Sequence, residues 1–152
     1  MPLHAVYIPL RMLHASIITP DGTIFEGDVD AISLPTPDGE ITVLPHHIPL
    51  ISIVIAGTVT VRSQGGGEQI FAVSQGVIEV DGKTIRVLTD TADRAEALQE
   101  SAVEAAKAAA EKLLSEKRND VEGFAEATAL MERELARLQT IRRQKARGHR
   151  AK

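Results

Sequence analysis

The stretch Val77-Ile78-Glu79-Val80-Asp81-Gly82-Lys83-Thr84-Ile85-Arg86-Val87-Leu88-Thr89-Asp90-Thr91-Ala92 decides how the chain reads. Asp81-Gly82 is its strongest hairpin signal, because the central positions of a tight two-residue turn need residues that tolerate positive φ. β-Branched residues on both sides suit paired strands. Beyond Asp90 the composition switches. Residues 92–152 hold fifteen alanines and no proline, whereas residues 1–91 hold all seven prolines and nine of the eleven glycines. The first part reads as strands and turns and the second as helix, with the boundary near Asp90–Asp93.

Toward the N-terminus, strands are predicted at 13–19, 23–26, 29–34, 41–44, 50–55, 58–62, 69–73 and 77–80, with 84–88 closing the hairpin. Pro20-Asp21-Gly22, Pro35 through Gly39 and Gly65-Gly66-Gly67 supply turns, and Gly76 a bend or bulge. The dense apolar run 50–55 reads as buried on both faces, while 58–62 alternates, with Val59 and Val61 on one face. Nine to ten short strands with turns at this spacing predict an N-terminal antiparallel β-sandwich or flattened barrel.

Toward the C-terminus, a helix is predicted from Ala92, capped by Asp90 or Thr91, with a thin face of Ala95, Leu98, Ala102, Ala105 or Ala106, Ala109 and Leu113. Arg118-Asn119-Asp120 breaks it. A second helix, capped by Asn119 or Asp120, presents Phe124, Ala127, Met131, Leu135 and Leu138. Together they form a C-terminal antiparallel α-helical hairpin. Full burial of a large side chain is worth roughly 1.5–3 kcal/mol. Ordering backbone costs on the order of 1–2 kcal/mol per residue, so this alanine-rich hairpin is marginal alone and must dock on the β half or on another protein. The predicted layout is an N-terminal extension 1–11, a sandwich domain 12–90, a hairpin domain 91–147 and a basic tail 148–152.

A length of 152 residues allows one domain, or one with an appendage. The absence of cysteine excludes disulfides, thiolate metal sites and a cysteine nucleophile. The net charge of −4 argues against a general nucleic-acid binder. It divides into −6 over residues 1–91 and +2 over 92–152, and from Leu135 onward there are seven bases and no acid. Those bases read either as a solvated tail complementing the helix dipole or as a contact for an acidic partner. The longest apolar stretch, 48–56, is interrupted and far short of the roughly 20 residues that span a bilayer. The N-terminus makes a poor secretory signal, so a reducing cytosolic setting is expected.

No phosphate loop, G-x-S-x-G or H-E-x-x-H motif occurs. His46 and His47 are adjacent, and neighbours on a strand face opposite ways, which suits chelation poorly even with Asp38 and Glu40 nearby. His47 reads as a structural histidine, and Asp28 with Asp30 as a solvated strand face. Catalysis lacks a constellation and partner binding has a motive; neither metal nor cofactor is expected.

The segment Gly39-Glu40-Ile41-Thr42-Val43-Leu44-Pro45-His46-His47-Ile48-Pro49-Leu50 resembles the G-E-x-x-x-x-P-G-H-x-P-L stretch of the epsilon subunit of F-type ATP synthases, called delta in mitochondria. Phe25-Glu26-Gly27 resembles an F-x-G element, Ser74-Gln75-Gly76-Val77-Ile78-Glu79-Val80 resembles S-G-G-x-x-E-V, and Val87-Leu88-Thr89-Asp90-Thr91-Ala92 resembles V-L-A-D-T-A. The resemblance spans about residues 13–146. It implies a noncatalytic rotor subunit of the central stalk of a proton-translocating synthase. Such a subunit lies peripherally on the cytoplasmic face of the bacterial plasma membrane and touches the membrane only through the complex. The implied partners are the gamma subunit, the c-ring, and the alpha and beta subunits, toward which the hairpin extends to restrain ATP hydrolysis.

Carried over by position, Glu40, Pro45, His46, His47, Pro49 and Leu50 form the loop facing the c-ring and gamma. Arg133, Arg137, Arg142, Arg143, Lys145 and Arg147 form the hairpin's contact with the catalytic beta subunit. Three departures follow. His46 replaces the motif glycine and is strained if that position needs positive φ. Gln99 and Ala102 replace the Asp and Arg of the I/L-D-x-x-R-A segment through which some members bind ATP, so ATP binding is expected to be weak or absent. Met12 falls where family chains commonly begin, leaving residues 1–11 to be disordered or an added edge strand. The competing readings are a free-standing adaptor outside any synthase and, last, a metal-dependent enzyme around His46, His47 and Glu40.

Overall fold

The computed structural model describes residues 12–63 and 65–150. The 1–11 extension and the last two residues of the basic tail lie outside it. Ten strands are described: β1 (Leu13–Thr19), β2 (Gly22–Val29), β3 (Ala31–Thr36), β4 (Gly39–Val43), β5 (Leu50–Val54), β6 (Gly57–Arg62), β7 (Glu68–Val73), β8 (Gly76–Val80), β9 (Thr84–Thr89) and β10 (Ala92–Arg94). A 3₁₀ turn, Ala95–Ala97, leads to α1 (Glu100–Glu116) and α2 (Val121–Arg150). The strands form two five-stranded sheets, ordered β2-β1-β9-β8-β5 and β10-β7-β6-β3-β4. The predicted fold class, a β-sandwich followed by a helical pair, holds. One pairing departs from the antiparallel rule: β1 and β9 run parallel, with Ile17 opposite Val87. These strands lie far apart in the chain, so no hairpin dictates their direction.

Alternation drives the core. Leu13, Ala15 and Ile17 from β1 meet Val59, Val61 and Phe71 from the facing sheet, all inaccessible to solvent. Phe25 and Phe71 pack edge to face, their centroids 5.8 Å apart. Asp81 closes the β8–β9 hairpin, its Oδ1 accepting from the backbone N–H of Lys83 and Thr84 at 3.1 and 2.8 Å. These donors hold its carboxyl below the usual range. Gly76 is required by closeness: a Cβ there would sit 1.9 Å from the Leu88 carbonyl oxygen.

Four local expectations are corrected. The strand predicted at 50–55 is not buried on both faces, since Ile51 is 77% and Ile53 58% exposed. β5 ends its sheet, and its outward face is left largely open by the described residues, with only Leu135 and Gln139 of α2 beside Ile53. The first helix does not begin at Ala92. Ala92–Arg94 instead pairs with the edge of β7, Ala92 opposite Val73, and Thr91 is bound into the preceding turn, its N–H donating to Ser74 Oγ at 2.8 Å. Arg94 secures this strand by lying over the Phe71 ring, 5.2 Å from its centroid.

The predicted face of the first helix is turned by one residue. Val103 and Ala110 are buried, whereas Ala102, Ala105 and Ala109 are exposed. An alanine-rich helix has little directional preference, and the branched Val103 sets its orientation against Leu138 and Ile141. On α2, Ala127 and Leu138 are buried as predicted, but Phe124 and Leu135 are exposed. Glu134, Ala136, Thr140 and Ile141 are buried instead, because α2 packs against both α1 and the outer face of β6 and β7.

Candidate functional site

The structure separates the residues of the predicted loop into two places. Glu40 stands at the start of β4, opposite Pro35. Pro45, His46, His47 and Pro49 follow the far end of that strand, with about 13 Å of extended chain between. Their loop packs beside the Asp81-Gly82 turn: His46 N–H donates to the Gly82 carbonyl at 2.9 Å, and His47 N–H to that of Leu44 at 3.1 Å. His47 Nδ1 donates to the Ile48 carbonyl at 2.7 Å, which makes it a structural histidine. His46 adopts φ 67°, alone among described non-glycine residues in being positive. Among the described residues, no three His, Cys, Asp or Glu side chains converge to hold a metal.

An apolar strip went unrecognised in the sequence. On the outward face of the first sheet, Ile53 lies opposite Val77, Val77 opposite Leu88, and Leu88 opposite Ile18. Four apolar side chains thus cross four adjacent strands, a width of roughly 14 Å. Ile51 and Ile48 prolong the patch toward the Pro45–Pro49 loop. Contiguous exposed apolar surface of this kind marks an interaction site. Its signal was the dense apolar run at 50–55, which read as buried because a single sequence cannot distinguish a covering sheet from a covering partner.

The bases of α2 find acids within the same chain. Arg137 reaches Asp93 at 2.8 Å and Glu134 at 2.9 Å. Arg143 reaches Glu40 at 3.1 Å, and Arg147 reaches Glu68 at 3.4 Å while donating to its carbonyl at 2.8 Å. Lys145 pairs with Glu100, whose carboxyl is held low chiefly by that hydrogen bond. Arg133 pairs with Glu134 at 3.2 Å, and Arg142 lies exposed. The basic helix therefore lies on the acidic sandwich, and Glu40 belongs to the helix contact rather than to the histidine loop.

Two polar groups beneath the helix were not singled out from sequence. Glu134 is 1% exposed. Its Oε1 accepts from Arg133 and Arg137, while Oε2 has no partner. The Thr140 hydroxyl donates to the Ala136 carbonyl and accepts from Thr58 Oγ1, each at 2.8 Å, joining α2 to β6. Gln99 and Ala102 line a cavity of about 280 Å³ with Glu134 and Arg137. Its buried carboxylate repels phosphate, and its guanidinium already serves two acids.

A family model described as "ATP synthase, Delta/Epsilon chain, beta-sandwich domain" matches residues 12–95. The chain is 35% identical over 141 residues to an ATP synthase epsilon chain of Alkalilimnicola ehrlichii, covering 93% of this chain and 100% of the relative. It is 36% identical over 139 residues to that of Psychrobacter cryohalolentis, covering 91% and 100%. Among solved structures, a chain of the Euglena gracilis mitochondrial ATP synthase superposes with a TM-score of 0.69 at 20% identity, covering 80% of this chain and 76% of that one. A chain of the Tetrahymena thermophila mitochondrial ATP synthase gives 0.58 at 11% identity, covering 85% and 96%. At these identities the structures speak for the fold alone.

Proposed function

The chain belongs to the ATP synthase delta/epsilon family, and we propose that it is the noncatalytic central-stalk subunit linking c-ring rotation to the catalytic head, with a C-terminal hairpin that regulates ATP hydrolysis. Membership makes it a subunit of an ATP synthase complex, so a free-standing adaptor is not favoured. The apolar strip through Ile53, Val77 and Leu88 suits a permanent neighbour, the gamma subunit. The Pro45–Leu50 loop and, once freed, Glu40 face the c-ring. The cations of α2 engage the alpha and beta subunits when the hairpin leaves the sandwich. The subunit sits peripherally at the cytoplasmic face of the bacterial plasma membrane, held through the complex; no helix among the described residues is long and apolar enough to cross a membrane.

The observation that carries the regulatory reading is how α2 is held. Its contacts combine a small apolar cluster, Val103, Leu138 and Ile141 with Leu98, the single buried Thr58–Thr140 hydrogen bond, partly buried ion pairs to Asp93 and Glu68, and exposed ones to Glu40 and Glu100. Exposed pairs contribute only ~0.2–1 kcal/mol each. Another acidic surface can therefore take their place at little net cost, as a two-position hairpin needs.

The test is ATP hydrolysis by the reconstituted complex with full-length and shortened chains. A cut after Asp90 would strip β10 from β7 and Arg94 from Phe71, so the chain should end after Leu98. Higher hydrolysis with assembly intact is expected, and unchanged hydrolysis overturns the regulatory reading. ATP binding at the Gln99 and Ala102 cavity is weak or absent in this proposal; a titration giving micromolar affinity contradicts it.

A further inference from the structure

Where the end of α2 crosses the outer face of the second sheet, it encloses a cavity of about 560 Å³ that shares no lining residue with the one beside Gln99. The sheet wall supplies Thr60 and Arg62, and the helix wall supplies Arg143, Arg147 and Arg150. Against these four guanidinium groups stand two carboxylates. Glu40 takes Arg143, while Glu68 is shared between Arg147 at 3.4 Å and Arg62 at 3.9 Å. Arg150 forms no ion pair among the described residues. The Thr60 hydroxyl lies out of solvent contact with no hydrogen-bond partner.

We propose that this cavity binds a small multivalent oxyanion of the phosphate or pyrophosphate class. The positive excess decides the sign of the ligand. The planar fork of a guanidinium matches paired phosphate oxygens, and several forks converge here. Thr60 offers a hydroxyl donor that nothing else uses. Among the described residues no aromatic side chain lines the cavity, so they offer a nucleobase no stacking platform, which favours a free oxyanion over a nucleotide's phosphate tail. Because one wall is sheet and the other helix, the site exists only with α2 docked. By linkage, the bound anion therefore holds the hairpin on the sandwich.

The test is calorimetric titration of the full chain with pyrophosphate, at ionic strength held constant with potassium chloride. Saturable one-to-one binding is expected, weakened about tenfold by Arg147→Gln with Arg150→Gln. Glu68→Gln removes a competing carboxylate and should tighten binding several-fold, a direction that loss of folding does not produce. At a fixed pyrophosphate concentration the rise in melting temperature should be smaller for the double arginine variant than for the native chain. A heat signal that chloride reproduces overturns the proposal, as does binding indifferent to both substitutions. ADP binding more than tenfold tighter than pyrophosphate overturns the assignment to a free oxyanion.

Discussion

Arg143 of α2 forks over Glu40 of β4, its Nη1 and Nη2 lying 3.1 and 3.4 Å from the two carboxylate oxygens, across 103 residues of sequence. The motif acid of the sandwich is thereby occupied by the chain's own helix. Docking of α2 and the proposed engagement of Glu40 by another subunit would compete for one carboxylate. Both side chains are nearly half exposed, so the pair contributes at most about 1 kcal/mol. Arg143→Gln should raise amide exchange in the last turns of α2 by up to about fivefold, and added salt should do the same to the native chain. Exchange insensitive to both would show that the apolar contacts alone hold the helix.

His46 occupies left-handed backbone at φ 67°. A branched-off Cβ in that region costs roughly 1–2 kcal/mol, while glycine adds flexibility to the unfolded chain. His46→Gly should therefore stabilise the protein by about 0.5–1 kcal/mol, read as a higher melting temperature. A lower one would mean that the histidine ring makes a compensating contact.

His14 lies between Asp28 and Glu26, at 3.0 Å from Nδ1 and 3.2 Å from Nε2. Hydrogen bonds to Asp28 first and Glu26 second raise its pKa above the usual 6.5. The folded value being the higher, the stabilisation is fully present below about 6.5 and fades as pH rises through the folded value. The site is open to water, so the effect on stability is small. Nuclear magnetic resonance should place the His14 midpoint above 6.5 and find it lower in Asp28→Asn. A native midpoint at or below 6.5 would contradict the pairing.

Ile53 stands out from β5 largely exposed, at the rim of a cavity it shares with Leu135 and Gln139 of α2. Ile53→Lys should leave the stability of the isolated chain within about 0.5 kcal/mol. Its capture by a complex lacking this subunit should weaken tenfold or more, as for an anchor near the centre of an interface. Unchanged capture would place the docking surface elsewhere.

The turns and strand faces were largely legible in the sequence, because Asp81-Gly82, Gly65-Gly66-Gly67 and the alternation in β6 act over a few residues. The positive φ at residue 46 was legible too, since the chain carries histidine where the resembling motif carries glycine. The start of the first helix was not. Ala92–Arg94 is compatible with helix locally, and only the open edge of β7 makes it a strand. The helix faces were read partly wrongly, because alanines at 102, 105 and 109 give a weak apolar direction that Val103 overrides. Glu134 escaped notice because a carboxylate on a helix ordinarily faces water; here α1 and two arginines enclose it.

By itself the sequence determined the β-then-α order, the turn positions, the core alternation and the opposite charge of the two halves. Each follows from backbone preference or composition within short windows. Only the tertiary structure decided which faces are covered. Thr58 and Thr140 are buried because α2 lies on β6, whereas Ile51 and Ile53 are exposed because no described element packs across β5. The same holds for charge: the acid-free end of α2 finds Asp93, Glu40, Glu68 and Glu100 only after folding brings them within reach. Burial and ion pairing depend on what docks against a surface, and a chain's local preferences do not encode that.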